Sequence, residues 1–166
     1  SIKRDMPRQI KLSLTNICNY RCVMCPNPRL TQKRGYMEDA LFFKILDDCE
    51  AAGVKRLSLG GTGEPLLHRK YLDYLKTAKE RGFWVSTTSN CSQLTNELAD
   101  TLVREKLLDR LCISVYSANA AEHKRYSEAD NFDEVLQRIK YFLEQWGGSE
   151  KGIEVNMWFL QLPGVN

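Results

Sequence analysis

The sequence predicts an α/β protein whose parallel strands form either an open doubly wound sheet or part of a (β/α) barrel. The first observation behind this prediction is a strict alternation of strand and helix patterns along 166 residues. The second is that the connections are short, which favours parallel strands joined by right-handed crossovers. The third is that Gly, Ser, Thr, Asn and Cys follow the strands, whereas plain helix ends precede them. Ligands are therefore expected at the carboxyl ends of the strands.

The first half of the chain contains two predicted strands and two predicted helices. IKLSLTN, residues 10–16, alternates apolar and polar side chains and predicts the first strand. In the helix predicted at 38–53, apolar residues recur at helical spacing, acidic residues occupy the first turn, and a glycine closes the last turn. VKRLSLGG, residues 54–61, predicts a second strand, and YLDYLKTAKERG, residues 71–82, predicts a helix that ends at a glycine.

The second half repeats the same alternation. The helix TNELADTLVREKLLD has Thr95 or Asn96 as its predicted N-cap. The clearest helix is NFDEVLQRIKYFLEQWGG, where Asn131 and Glu134 form a capping-box pattern ahead of a long apolar stripe. The predicted elements are a strand at 83–90, a helix at 95–109, a strand at 110–117, a helix at 131–148 and a strand at 152–161.

Composition limits the possible classes of protein. The net charge of +3 is too small to indicate nucleic-acid binding, and no apolar run reaches the roughly 18 residues of a membrane helix. Six cysteines at irregular spacing are untypical of a secreted disulfide scaffold in a chain of this length. We therefore predict a cytoplasmic, single-domain protein with neither a membrane nor a specific nucleic-acid partner.

The loop after the first predicted strand, LTNICNYRCVMCPNP, holds three cysteines within eight residues and no histidine. Three thiolates can hold a four-iron cluster and leave one iron open for a non-protein ligand. A zinc site completed by a distant Cys91 or His68 is the structural alternative, although the spacing differs from paired CxxC knuckles. The other thiols and imidazoles are predicted to be structural, in the core for Cys49 and Cys112, and at helix starts or on the surface for His68 and His123.

These strand-end motifs resemble the radical S-adenosylmethionine superfamily. CNYRCVMC matches its CxxxCxxC signature, GGTGEPLL its second-strand loop, and TTSNCSQLT and ISVYSANAAEHKRY later elements, so the resemblance covers about residues 10–166. It implies a partial TIM-like barrel of about five strand–helix units, most similar to the SPASM or twitch branch. Two positions depart from the pattern. Met24 precedes the third cysteine where aromatic residues are common, and Cys91 replaces a glycine, so the local turn is expected to differ.

The resemblance implies a 4Fe–4S cluster on Cys18, Cys22 and Cys25, with S-adenosylmethionine beside it. The GGTGEP loop is expected to face the ammonium group of S-adenosylmethionine through backbone carbonyls and the Glu64 carboxylate, the alternative being a tight turn with a capping glutamate. Polar groups after the third and fourth strands are expected to face its ribose and carboxylate. The implied cofactor contacts are Thr62, Gly63, Glu64, Ser89, Asn90, Ser114 and Met157, with Tyr116 as a candidate for lining the pocket and Cys91 for a catalytic role.

The implied reaction is reductive cleavage of S-adenosylmethionine to a 5′-deoxyadenosyl radical that abstracts a hydrogen atom from a small-molecule or peptide substrate. A peptide or protein substrate is the first interpretation, and a sugar- or aminoglycoside-modifying dehydrogenase or epimerase is the second. A non-catalytic iron–sulfur or zinc module is the alternative of another class, and a phosphate-binding domain is weaker because the P-loop glycine spacing is missing. A reductant such as flavodoxin or ferredoxin is the expected partner. Residues 1–166 are expected to be a truncated core domain, followed by a sixth strand and a cysteine-rich C-terminal domain.

Overall fold

A computed structural model of the chain describes residues 7–148 and 152–159. The strands are β1 (Gln9–Leu12), β2 (Arg56–Leu59), β3 (Trp84–Ser89), β4 (Arg110–Ser114) and β5 (Glu154–Trp158). The helices are α1 (Asp39–Ala51), α2 (Tyr71–Glu80), α3 (Asn96–Arg104), α4 (Ala120–Ser127) and α5 (Phe132–Trp146). Two short 3-10 helices, Asn27–Arg29 and Pro65–Leu67, lie in the connections after β1 and β2.

The strands form one parallel sheet in the order β1-β2-β3-β4-β5 within the described residues. Each strand pairs with its neighbour in sequence, so the loops after β1, β2, β3 and β4 open at the same edge of the sheet. This confirms the predicted parallel α/β fold, and five strands alternating with helices constitute a partial (β/α) barrel. Helix α4 was not predicted, because its eight residues, AAEHKRYS, carry little apolar periodicity.

The strands are shorter than the sequence predicts. β1 ends at Leu12 and β4 ends at Ser114, a few residues before the predicted ends at 16 and 117. The polar residues that follow leave the ladder of hydrogen bonds and enter the loops at the carboxyl edge. Two residues of the predicted fifth strand, 160 and 161, lie outside the described residues.

The core combines apolar side chains of the sheet with the apolar faces of the helices. Ile113 of β4 is fully buried, and Phe42 of α1 stacks on Tyr74 of α2 with ring centroids 3.9 Å apart. Cys49 and Cys112 are buried, as predicted. Each fully buried large apolar side chain stabilises the fold by roughly 1.5–3 kcal/mol, so this core provides the rigid platform on which the loops are placed.

The two predicted helix caps have different outcomes. Thr95 Oγ1 accepts a hydrogen bond from the Leu98 N–H at 3.2 Å, which confirms Thr95 as the N-cap of α3. The capping box predicted for α5 is wrong, because Asn131 occupies the N-cap position without a side-chain cap bond. Its Oδ1 instead accepts a hydrogen bond from the Tyr20 hydroxyl at 2.9 Å. The Asn131 side chain therefore binds Tyr20, which is distant in sequence, instead of capping α5.

The amino ends of the strands carry contacts between side chains of neighbouring strands. The guanidinium groups of Arg56 and Arg110 lie 3.9 and 5.0 Å from the ring centroid of Trp84, and Arg110 also pairs with Glu154 at 2.7 Å. This edge is opposite to the one that carries the cysteine loop. In the described part of the chain, no helix has the length and apolar character needed to cross a membrane.

Candidate functional site

A cleft opens at the carboxyl edge of the sheet, where the sequence predicts ligand binding. Its walls are the three-cysteine loop after β1, the GGTGEP loop after β2, the residues after β3 and β4, and helix α4. All three cysteines line it, as do Thr62, Gly63, Glu64, Ser89, Asn90, Ser114 and Tyr116 from the predicted set. The fold therefore brings into one place motifs that lie far apart in the sequence.

The cysteine loop is held at its far side by α4. The backbone N–H groups of Arg21 and Val23 donate to the carbonyls of Ser127 and Tyr126 at 3.0 and 2.9 Å. The loop therefore has two attachments, one to the end of β1 and one to the last turn of α4. Helix α4 therefore fixes the backbone on both sides of Cys22, a role that the sequence did not reveal.

Burial affects the ionisation of two thiols of the cysteine loop, those of Cys18 and Cys22. Desolvation raises the pKa of Cys18, and it raises the pKa of Cys22 to about 11, with smaller contributions from the neighbouring thiols. The apoprotein therefore holds these groups as neutral thiols. Iron held by Cys18 and Cys22 would favour their thiolate forms, because a nearby cation stabilises the negative charge.

The arrangement of the thiols fits a cluster. All three cysteines are free, half-buried and directed to the same cleft. Within residues 7–148 and 152–159, no group of three or more His, Cys, Asp and Glu side chains is arranged around a single metal ion. A four-iron cluster has no such requirement, since each thiolate binds a different iron.

The glycine loop packs directly against the start of the cysteine loop. A Cβ at Gly63 would lie 2.2 Å from the carbonyl oxygen of Thr15 and 2.6 Å from that of Ile17. The Glu64 N–H also donates to the Ile17 carbonyl at 2.9 Å. Because Cys18 follows immediately, any displacement of the glycine loop is transmitted to the first cysteine.

Asn27 is a second connection between the two loops, and sequence reasoning missed it. Its Nδ2 donates to the carbonyls of Asn16, at 2.9 Å, and of Thr62. The Arg34 guanidinium in turn donates to the Asn27 side-chain oxygen at 3.0 Å and to its carbonyl at 2.6 Å. The only signal in the sequence is an amide two residues after Cys25, which has no recognisable spacing to the other partners.

Glu64 is buried, with only 3% of its surface exposed. Its carboxylate accepts hydrogen bonds from the Ser89 hydroxyl at 2.7 Å, the Asn90 N–H at 2.8 Å and the Leu66 N–H at 3.1 Å. Burial raises the pKa of Glu64, and these donors oppose the rise. The predicted capping alternative is therefore present, since Glu64 caps the 3-10 helix Pro65–Leu67, and the same side chain also lines the cleft.

The α4 side of the cleft contains an aromatic and imidazole pair. Tyr20 meets His123 edge to face, with ring centroids 5.5 Å apart. Asn131 Oδ1 lies between them, 2.9 Å from the Tyr20 hydroxyl and 3.2 Å from His123 Nε2. Burial raises the pKa of Tyr20 to about 12, so the phenol stays protonated. His123 lies in the first turn of α4, in agreement with the predicted helix start, and it is buried in the cleft wall, so the surface alternative is wrong.

Three other predicted residues lie away from the cleft. Cys91 is completely buried in the core, and burial raises the pKa of its thiol. Met157 is 43% exposed on β5 and does not line the cleft. His68, a possible zinc ligand, is buried, and it accepts from the Lys70 N–H through Nδ1 and contacts the Met37 carbonyl through Nε2. Cys91, the candidate for a catalytic role, and Met157, an implied cofactor contact, are therefore absent from the lining of the cleft.

Comparison with protein families gives a match to the model of the Radical SAM superfamily over residues 12–156. A relative from Pyrococcus furiosus, a tungsten-containing aldehyde ferredoxin oxidoreductase cofactor-modifying protein, is 36% identical over 96 residues. A probable GTP 3′,8-cyclase of Thermococcus kodakarensis is 30% identical over 133 residues. These alignments cover 57% and 79% of the chain but only 27% and 42% of the two relatives, so the chain spans less than half of either.

Solved structures share the fold at low sequence identity. SuiB of Streptococcus suis bound to S-adenosylmethionine has a TM-score of 0.74 at 17% identity and covers 95% of this chain and 36% of that one. BtrN in complex with AdoMet and 2-DOIA has a TM-score of 0.67 at 19% identity, covering 92% and 57%. The anSMEcpe structure with AdoMet and a peptide has a TM-score of 0.68 at 16% identity, covering 92% and 42%. Since the family match covers most of the residues, the chain belongs to the radical SAM superfamily, whose enzymes use a 4Fe–4S cluster and S-adenosylmethionine.

Proposed function

We propose that this chain is the catalytic core of a radical S-adenosylmethionine enzyme, with Cys18, Cys22 and Cys25 as the cluster ligands. The observation that carries the proposal is the meeting of the cysteine loop and the glycine loop in one cleft, with Gly63 packed on the backbone that leads into Cys18. A module with only a structural metal has no need for the second loop. When bound, the cluster and S-adenosylmethionine supply a 5′-deoxyadenosyl radical that abstracts a hydrogen atom from the substrate.

The protein's own contribution is to bind and orient S-adenosylmethionine at the cluster. Glu64 accepts three hydrogen bonds from the protein, and a carboxylate has about four acceptor positions. We assign the remaining position to the ammonium group of S-adenosylmethionine. Asn90 and Ser114, at the ends of β3 and β4, provide polar groups for its ribose and carboxylate. Thr62, Gly63 and Ser89 shape this wall, with Ser89 acting through Glu64.

The substrate is proposed from the resemblance and not from any particular residue of this chain. A peptide or protein substrate stays our first prediction, with a sugar or aminoglycoside as the alternative. Among the proteins of similar fold, SuiB has been solved with its precursor peptide SuiA, and BtrN with AdoMet and 2-DOIA. A flavodoxin or ferredoxin as reductant, a cytoplasmic location, and a sixth strand with a cysteine-rich domain beyond residue 166 stay predictions as well.

The cluster assignment is tested by replacing each of the three cysteines with alanine. After anaerobic reconstitution, we expect about four irons per wild-type chain and absorbance near roughly 400 nm. We expect both to fall strongly in each variant, because two thiolates hold a cubane poorly. Cys49→Ala is the matched control, since this thiol is buried on α1 away from the cleft. A Cys22→Ala protein that retained a full cluster and cleaved S-adenosylmethionine would defeat the assignment.

A further inference from the structure

Ser117, three residues beyond the end of β4, has an unusual environment. Only 5% of its surface is exposed. Within residues 7–148 and 152–159, its Oγ is the one buried side-chain nitrogen or oxygen atom without a hydrogen-bond partner in the protein. Ser117 also lines the cleft that contains the three cysteines. A buried hydroxyl without a partner destabilises a protein, so its presence at this place requires an explanation.

The other buried serines of the same cleft show that the fold normally satisfies such groups. Ser127 Oγ donates to the His123 carbonyl at 2.7 Å and accepts from the Ala129 N–H at 3.1 Å. Ser89 Oγ donates to Glu64 at 2.7 Å and accepts from the Cys91 N–H at 2.9 Å. Each of these hydroxyls has both a donor and an acceptor role in holding the fold together. Ser117 has neither role, so its hydroxyl is available to a ligand.

The charge of the cleft indicates which part of a ligand the hydroxyl faces. The residues that line the cleft include the Glu64 carboxylate but neither lysine nor arginine. The Glu64 carboxylate can therefore pair with a cationic ammonium group of the ligand. Oxygen atoms of the same ligand, in a carboxylate or in ribose hydroxyls, have no lysine or arginine to pair with among these residues. They require neutral donors, and a serine hydroxyl both donates and accepts.

We propose that the Ser117 hydroxyl hydrogen-bonds an oxygen atom of bound S-adenosylmethionine, in its carboxylate or its ribose, and so positions the cofactor in the cleft. This inference rests on the proposed function, because it requires S-adenosylmethionine to bind at this place. It assigns Ser117 as a positioning residue in addition to the strand-end residues Asn90 and Ser114. In the free protein, the unpaired Ser117 hydroxyl lowers the stability of the fold. Bound cofactor supplies the missing hydrogen bond and removes this penalty.

The test compares wild type, Ser117→Ala and Ser127→Ala, each with the cluster reconstituted. We expect Ser117→Ala to raise the Kd of S-adenosylmethionine about two- to tenfold in calorimetric titration without substrate, as one hydrogen bond is lost. Without S-adenosylmethionine, its Tm should stay the same or rise, because the variant removes a group that has no partner. Ser127→Ala is the matched control for stability, and its Tm should fall because it removes two hydrogen bonds.

A second titration, with decarboxylated S-adenosylmethionine, identifies the oxygen. If the Ser117→Ala effect disappears with this analogue, the partner is the carboxylate; if it persists, the partner is the ribose. A Ser117→Ala protein with an unchanged Kd, or with a lowered Tm, overturns the inference, since the hydroxyl is then either unused or structural. A wild-type holoprotein that does not bind S-adenosylmethionine contradicts the proposed function itself, so the two failures are distinguishable.

Discussion

Cys91 illustrates how a single residue combines a backbone constraint with a buried side chain. Its φ of 59° lies in the left-handed region that favours glycine, the residue that the resembled family has at this position. The thiol points into the core and not into the cleft. A cysteine is tolerated because its small side chain is well packed, which offsets the cost of about 1–2 kcal/mol for a left-handed residue.

We therefore predict that Cys91→Ala leaves iron binding unchanged and lowers the free energy of unfolding by about 1 kcal/mol through loss of the packed sulfur. Iron per chain and urea unfolding of the same preparations measure the two effects. In the apoprotein, iodoacetamide should label Cys18, Cys22 and Cys25 while sparing Cys91. A Cys91→Ala protein that lost iron would show that this thiol reaches the cluster after all.

Gly63 is required for the close approach of the two loops. Gly63→Ala places a Cβ 2.2 Å from the Thr15 carbonyl oxygen, so the backbone must move. We expect a loss of about 1–3 kcal/mol in stability from this overpacking, together with weaker S-adenosylmethionine binding. Gly35→Ala is the matched control, because nothing lies within 4 Å of a Cβ there. Chemical unfolding and calorimetric titration of both variants test this, and equal behaviour of the two would contradict it.

At the scale of elements, α4 connects helix stability to the cysteine loop. Asn119 caps α4 by accepting from the Glu122 N–H at 3.0 Å, and the other end of α4 holds Arg21 and Val23. Asn119→Ala should weaken α4 by about 1 kcal/mol and speed amide hydrogen exchange at Arg21 and Val23.

Two controls separate this effect from a general loss of stability. Asn119→Asp keeps a capping oxygen and should preserve the protection of both amides. Thr95→Ala removes the equivalent cap of α3, which packs on α5, and should cost similar stability without changing exchange at Val23. If the Asn119→Ala and Thr95→Ala proteins exchanged identically at Val23, α4 would not be the element that orders the loop.

At the scale of the whole molecule, the amino ends of the strands contribute to stability, and their carboxyl ends form the cleft. Trp84 begins β3 and Ser89 ends it, so the aromatic contacts with Arg56 and Arg110 lie about 16 Å from the cleft along the strand. Trp84→Ala should lower the free energy of unfolding by about 1–3 kcal/mol and leave the Kd of S-adenosylmethionine unchanged. Thermal unfolding and titration check this division, and a large change in Kd would refute it.

Much of the scaffold was predictable because its signals are local. The apolar periodicity of α5 and the alternation of β1 depend on residues close in sequence, and so does the Thr95 cap. Helix α4 was not predicted because AAEHKRYS is mostly polar and has no apolar stripe at helical spacing. Its stability derives from its N-cap and from its hydrogen bonds to the cysteine loop. The Asn131 cap failed because Tyr20, 111 residues away, competes for the same oxygen.

The sequence by itself determined the family of this protein, since three cysteines in CxxxCxxC spacing and a GGTGEP loop occur after consecutive strands. It also determined the edge at which the site lies, because parallel strands present all their following loops on one side. Only the tertiary structure decided which of those loop residues meet. Gly63 against Thr15, Asn27 between the loops and the orphan hydroxyl of Ser117 are contacts between distant segments. Sequence spacing contains no information on such contacts, because they depend on the path of the backbone through space.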